Sequence, residues 1–330
     1  MKKKKKFIIH DFLSAIIVSI LIVTFLKYPK LTSEYAYVGL KIWFDSMIIS
    51  LFPMMVLVNI LRTTELYKII MKPLTRLLYP IFHLPTEGIF IIFFGFLAGF
   101  PLGAKLTCQL YEEKKISKQM AEYLLAFVNN LGPAYFSGFV LVSVLSSKSS
   151  YPVYIPYFIM YGIPLLYGIV LRYTYYHTVT EISALHHTGI KKEKNDPISN
   201  ISSTILSHIP KAIQNSCEQM TILGGYMIIC NALRTPFAVL FQQSRTLFLV
   251  CNSLLEISGG LKAICTNCSV SRLYPVFVFA LLSFGGICCF LQTASLLTEA
   301  KLSPKKYMLH KMILCSITSI VSYIIYLLLG

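Results

Sequence analysis

Charge is scarce in this chain, and acid is scarcer than base. Asp, Glu, Lys and Arg together make up 13% of the 330 residues, about half the share of a soluble domain. Mean hydropathy is +0.66, and a large soluble module is excluded on that ground. Catalytic signatures are missing as well. There is no GxxxxGK[ST] loop, no HExxH and no Ser/His/Asp spacing, so neither ATP hydrolysis nor metalloprotease or serine-hydrolase chemistry is encoded. An enzyme is not expected; any transport would run on an ion gradient or on facilitated flow.

The positive excess is large: 30 Lys and Arg against 14 Asp and Glu. A nucleic-acid partner is nevertheless not expected, because the cations sit at the ends of apolar runs, where they orient membrane segments. The stretch Met1 to Lys6 precedes an apolar run from Phe7 to Leu26 without a small-x-small cleavage site. About 20 apolar residues suffice to span a bilayer, so residues 1–30 read as an uncleaved first helix with a cytoplasmic N-terminus. The cysteines lie mostly inside apolar runs, where they behave as small apolar residues. Cys265 and Cys268 form a CxxC with no second ligand pair, and a zinc site needs about four ligands. No metal or other cofactor is expected.

Apolar runs recur along the whole sequence and predict an all-α polytopic membrane protein with about seven to nine transmembrane segments. Residues 66–84 carry Lys68, Lys72 and Arg76 four apart, which places three cations on one helical face. An amphipathic helix on the cytoplasmic surface fits this pattern; a span packed inside the protein is the alternative. Residues 177–208 form the one long polar linker, with His186, His187 and Lys191. Adjacent histidines without carboxylate or thiolate partners point to a solvated segment, not a metal site.

The stretch Gly88 to Leu145 is apolar yet broken twice, at Gly99, Pro101 and Gly103 and again at Asn129, Asn130, Gly132 and Pro133. Irregular backbone at membrane depth persists only inside protein or along a wet cavity, and paired broken segments point to a transporter-type site. A later break falls at Gly285 and Gly286. The halves on either side of the linker, residues 31–176 and 209–330, look like two repeats. Glu113–Lys118 parallels Glu299–Pro304, and at that offset of 186 residues Gly99 falls on Gly285 and Thr107 on Thr293. Asn59 and Asn231 match at a different offset. If the basic loops Lys105–Lys118 and Lys301–Lys311 are both cytoplasmic, residues 88–104 and 274–291 enter and return as re-entrant hairpins.

At Gly95–Lys105, at Ala121–Asn130 with Gly132 and Pro133, and at Leu255–Gly260, the sequence resembles the YlbJ-type sporulation integral membrane proteins of the nucleoside-recognition, or Gate, domain superfamily. The similarity runs over roughly residues 40–325, and Ser283–Gly286 with Gln292 is a weaker match. The family's later motif usually carries a histidine two residues before its glutamine; Phe290 stands there in this chain. The resemblance implies two Gate-like repeats with broken or re-entrant helices. It also implies a bacterial plasma-membrane location, a link to spore cortex formation and suspected transport of an unestablished solute.

Five polar residues in apolar context are candidates for contact with that solute. Lys105 follows the Gly-Pro-Gly break and either neutralises an anion or snorkels to the interface. Asn129 and Asn130 carry amides that need partners in a solute, an ion or a neighbouring helix. Glu256 ends an apolar run, as a proton-coupling carboxylate, a sodium ligand or a cap. Gln292, with Thr293 and Ser295, either completes the site from the second half or packs helices together. The expected partners are the lipid bilayer, a small polar solute and a coupling ion, Na⁺ or H⁺. The alternative is a non-transporting membrane scaffold that recruits sporulation or envelope proteins through the surface helix and the linker.

Overall fold

The computed structural model describes residues 2–145, 152–177, 197–267 and 274–329, and they contain helices and no strand. Residues 178–196 of the polar linker, with its paired histidines, and the second cysteine of the CxxC lie outside these residues, whereas residues 197–208, expected as linker, form the start of a long helix. Helix α1, Lys2–Lys27, is followed by α2, Pro29–Ile42, which runs through a π-helical stretch into α3, Ile49–Thr63. These two helices form one rod of 35 residues. Then come α4, Tyr67–Ile70, and α5, Lys72–Phe82. Next are α6, Thr86–Ala98, α7, Leu102–Glu112, and α8, Lys118–Leu125. After residues 126–132 the chain resumes as α9, Pro133–Tyr135, with a π-helical extension to Leu145. The first half closes with α10, Tyr154–Tyr157, and α11, Ile163–Thr174.

The second half begins with α12, Pro197–Ala232, and α13, Arg234–Leu240. A pair follows, α14, Arg245–Leu255, and α15, Ile257–Asn267. The chain ends with α16, Tyr274–Phe284, α17, Gly286–Glu299, and α18, Pro304–Leu329. This is an all-α polytopic membrane protein. Among the described residues five helices are long and apolar enough to cross a bilayer, or six if the bent α5–α6 pair is one span. That is fewer than the seven to nine expected from the apolar runs, because breaks divide several runs into helices too short to span. Side chains facing outward are apolar, as on α18, where Leu327 is 62% exposed.

Helix α12 runs antiparallel to the α2–α3 rod. Asn59 Nδ2 donates to Ser216 Oγ at 3.0 Å, Trp43 Nε1 to the Met220 carbonyl at 2.8 Å, and Gly39 lies against Met227. These contacts define two ends of the molecule. At the first end, Arg62 pairs with Glu113, and Lys115 bridges Glu65 and Glu113 at 2.9 and 3.1 Å. Burial raises the Glu65 carboxyl, but hydrogen bonds from Lys68 and Lys115 outweigh it and hold the group below its ordinary value. At the second end, the Arg234 guanidinium lies 4.5 Å from the Tyr35 ring.

Helix α5 meets α6 at 96°, so it does not continue the line of α6, and Lys72 and Arg76 are exposed along it. Helices α6 and α7 form a hairpin whose base is at the first end. Tyr67 donates to Glu87 at 3.2 Å, and Glu113 follows the last turn of α7. The hairpin closes because glycines remove side chains from the contact. A Cβ on Gly103 would lie 2.9 Å from the Val128 carbonyl oxygen and 3.1 Å from Gly95 Cα.

A second hairpin, α14 with α15, enters from the other end, where Phe248 meets Tyr35. There a Cβ on Gly260 would lie 2.3 Å from Ser253 Cα. This corrects the expectation of a hairpin at residues 274–291. The helices α16 and α17 instead form one span of 26 residues, interrupted at Gly285 without reversing.

The same succession therefore occurs twice, with opposite sense. A long helix leads to a short surface helix, a hairpin, an interrupted helix and a last span. The offset of 186 residues is not the structural one. Gly99 and Gly285 both have positive φ, 81° and 91°, but one sits at a hairpin tip and the other inside a crossing helix. By order of elements the first tip corresponds to Glu256, and residues 129–132 correspond to Gly285.

Gly103→Ala is expected to lower stability by about 1–3 kcal/mol, because only backbone stands against the new methyl group. Gly225→Ala on α12 meets nothing within 4 Å and is expected to be neutral or to stabilise by up to about 1 kcal/mol. Thermal unfolding in detergent compares the two; equal losses would show that the Gly95–Gly103 approach is not limiting.

Candidate functional site

Four interruptions meet near the middle of the molecule. The first is the tip of the first hairpin, where Gly99 precedes a cis Phe100–Pro101 bond. The second is the non-helical run 126–132. Gly99 sits directly on it: a Cβ there would lie 2.3 Å from Gly132 N. The third is the Glu256 corner of the second hairpin, and the fourth is the Gly285–Gly286 break. Phe100 packs on Gly285, and Ile257 and the Leu254 carbonyl pack on Gly286, whose φ is 75°. Both glycines occupy left-handed conformations that L side chains rarely adopt.

Asn129, fully buried, stitches these pieces together. Its Oδ1 accepts from Ala104 N at 3.4 Å, and its Nδ2 donates to Thr293 Oγ1 at 3.1 Å and Tyr307 OH at 2.9 Å. One amide thus joins the first hairpin to α17 and α18. Asn130 Nδ2 donates to the Phe127 carbonyl at 2.5 Å, and its Oδ1 accepts from Lys311 Nζ at 3.3 Å. Both asparagines are engaged inside the protein, and neither lines a cavity described below.

Glu256 is 4% exposed and caps α15. Its two carboxylate oxygens accept from Ser258 N at 2.8 Å and Gly259 N at 2.6 Å. A carboxylate on the first N–H groups of a helix is favoured by their partial positive charge. Arg234 Nη1 approaches the same corner: a Cβ on Gly259 would lie 3.1 Å from Glu256 Oε2 and 3.3 Å from Arg234 Nη1. Arg234 is itself held by Asn231 Oδ1 at 3.0 Å. Asn59 and Asn231 therefore both serve helix packing and orientation.

A cavity of about 280 Å³ lies between the four interruptions, with apolar walls and with Glu256, Ser46, Ser50, Tyr135, Ser258 and Gln292 as its polar lining. Enclosure with a few convergent polar groups is the usual form of a small-solute site. A second space of about 150 Å³, lined by Lys105, Glu218 and Glu299, adjoins it through Leu223 and Gln292, which line both. A third, of about 670 Å³, holds Lys41, Asp45 and Arg234 and shares Ser46, Tyr135 and Ser258 with the central cavity.

The five residues expected from sequence are thus divided. Glu256 and Gln292 face the central cavity, and Lys105 faces the first-end space. Asn129 and Asn130 form the joint behind the wall. Sequence reasoning missed two groups. Lys311 is 2% exposed at the joint; it reads as the last lysine of a basic loop, and only its place four residues after Tyr307 in a long helix marks it. Asn252, 1% exposed one turn before Glu256, has neither amide atom hydrogen-bonded. Among the described residues no group of three or more His, Cys, Asp or Glu could hold a metal.

Asn129→Ala is expected to lower stability by several kcal/mol, since it strands Ala104 N–H and removes ties to two helices, at about 1–3 kcal/mol for each buried group left unpaired. Gln292→Ala, with one weak bond to Cys288 Sγ at 3.2 Å, is expected to cost much less. Melting temperatures of the two variants give the order, and the reverse order would make Asn129 a free ligand instead of a tie.

Compared with curated proteins, the chain is similar to the sporulation integral membrane protein YlbJ of Bacillus subtilis strain 168, at 22% identity over 329 residues. The match takes in 88% of this chain and 76% of that protein. No family model and no solved structure matches the chain. The likeness thus extends along most of the chain, to a sporulation integral membrane protein.

Proposed function

We propose that this protein is a permease for a small polar solute, with its binding site in the cavity between the two opposed hairpin tips. The observation that carries the reading is the series of three spaces from one end to the other, each sharing wall residues with the next. A scaffold has no use for a polar cavity at membrane depth, whereas sites at interrupted helices between inverted halves are the common plan of secondary transporters. The lining offers one carboxylate and several hydroxyl and amide groups that both donate and accept, so the solute carries hydrogen-bonding groups of its own. Nucleoside-like and envelope-related compounds are the classes to try first. Similarity to a sporulation integral membrane protein supports a role in endospore formation in the bacterial plasma membrane, with the lysine-rich first end in the cytoplasm.

The shared residues are the necks of the path. Gln292 stands between the first-end space and the cavity, and Ser46 between the cavity and the second-end space. Thermal-shift screening of the purified protein against nucleosides, amino acids, wall precursors and dicarboxylates would identify a ligand. A solute at one hundred times its Kd stabilises by about 2.7 kcal/mol. Uptake of that solute into proteoliposomes is then expected to fall at least tenfold in Gln292→Leu and in Ser46→Leu, with melting temperatures close to wild type. A panel without a hit, or full uptake in both variants, would move the assignment to the scaffold.

A further inference from the structure

Lys311 lies on α18 with its ammonium at the joint between the two interrupted helices, and it lines none of the three spaces. Its Nζ donates to the Asn129 carbonyl at 2.5 Å, to Asn130 Oδ1 at 3.3 Å and to the Ser283 carbonyl at 3.5 Å. The first two oxygens belong to the unwound run 126–132, and the third to the last turn of α16, ahead of the Gly285 break. The Phe100 ring lies 4.7 Å from Nζ on another side. Among the described residues no carboxylate pairs with this ammonium.

That surrounding set has a definite chemistry. An ammonium has three N–H donors, and three oxygens meet it here. A lone buried charge is costly unless oxygens or an opposite charge replace its water. The oxygens are neutral carbonyls, two from the backbone and one from an amide, and the fourth side is an aromatic face that attracts cations. Neutral carbonyls freed by unwound helices are also the groups that coordinate alkali cations in transporters. Donors are required at this joint, because the Asn129 and Ser283 carbonyls converge there with no N–H of their own helices to take them.

We propose that this carbonyl cradle is a monovalent-cation site kept filled by the chain's own ammonium, a tethered cation in place of a dissociable one. Lys311 is held on α18 and needs no ion from solution, so sodium does not compete for the cradle in the intact protein. Removing the ammonium leaves a cation-sized space lined by the same oxygens. A small alkali or alkylammonium ion then occupies it and restores the joint. The claim concerns the folded core and holds whether or not the protein carries a solute.

The test is thermal unfolding of purified wild type, Lys311→Ala and Lys311→Gln at constant ionic strength, with N-methylglucamine chloride replaced stepwise by sodium, potassium or methylammonium chloride. Wild type is expected to show no cation-specific, saturable shift. Lys311→Ala is expected to melt lower and to regain at least about 3 °C as one of these ions saturates the site. Lys311→Gln serves in the same way where the alanine variant yields no folded protein. A saturable sodium shift in wild type would overturn the proposal, since the cradle would then be open. Folded variants that respond to none of the three ions would overturn it equally.

Discussion

Every backbone amide at membrane depth has to be satisfied by the protein itself, and this chain concentrates its exceptions in one place. Two hairpin tips and two helix breaks leave free N–H and carbonyl groups that no lipid can pair. The remedy differs on the two sides. At the second hairpin the free groups are N–H donors at the start of α15, and the Glu256 carboxylate takes two of them. At the two interrupted helices the free groups are the Asn129 and Ser283 carbonyls, and Lys311 supplies the donors. A negative and a positive side chain thus serve opposite backbone polarities, and each can be buried because it replaces water for the groups around it. The cavity between them follows from this arrangement, since the helices that would fill the centre stop short of it.

The glycines are what allow such close assembly. Gly99 on Gly132, Gly95 on Gly103 and Gly260 on Ser253 are backbone-to-backbone approaches that any Cβ would block. Small residues at contacts are the general solution where no hydrophobic drive pulls helices together in lipid. In this chain several sit where a hairpin returns on itself or meets the interrupted helix beside it, and Gly39 lets α2 close on the Met227 backbone of α12. Elsewhere, as at Gly138 and Gly225, a side chain would meet open space.

The breaks were legible because glycine, proline and asparagine have no ordinary reason to interrupt a run such as residues 88–145. The same local signal could not tell a tip from a break. Gly99 and Gly285 look alike in sequence and share a left-handed φ, and only packing makes one chain reverse and the other continue. That is why the repeat was placed at the wrong offset, and why the hairpin at Arg245–Asn267 went unseen: its corner is Leu255–Glu256–Ile257, with no proline and with its glycines displaced to the following turn. Lys311 escaped for a related reason. One charge in a long apolar helix reads as the edge of a basic loop until the carbonyls that hold it are known, and those come from residues 129, 130 and 283. Asn129 and Asn130 read in sequence as amides in need of partners, and most of those partners, Thr293, Tyr307 and Lys311, lie far along the chain on α17 and α18.

The position of Phe100 links the two halves of this chemistry. Its ring faces the Lys311 ammonium, rests against Gly285 and forms part of the cavity wall. The positive charge is therefore one side chain away from the space that holds the Glu256 carboxylate, yet screened from it. A cavity open to both charges would favour a zwitterion and would let Lys311 and Glu256 attract each other across it, closing the space. With Phe100 between them the lysine stays with its carbonyls, and the polar lining of the central cavity consists of the Glu256 carboxylate with hydroxyl and amide groups. The ring thus separates the group that holds the joint together from the groups that line the cavity, so one charge stays with the joint while the other caps α15 at the cavity wall.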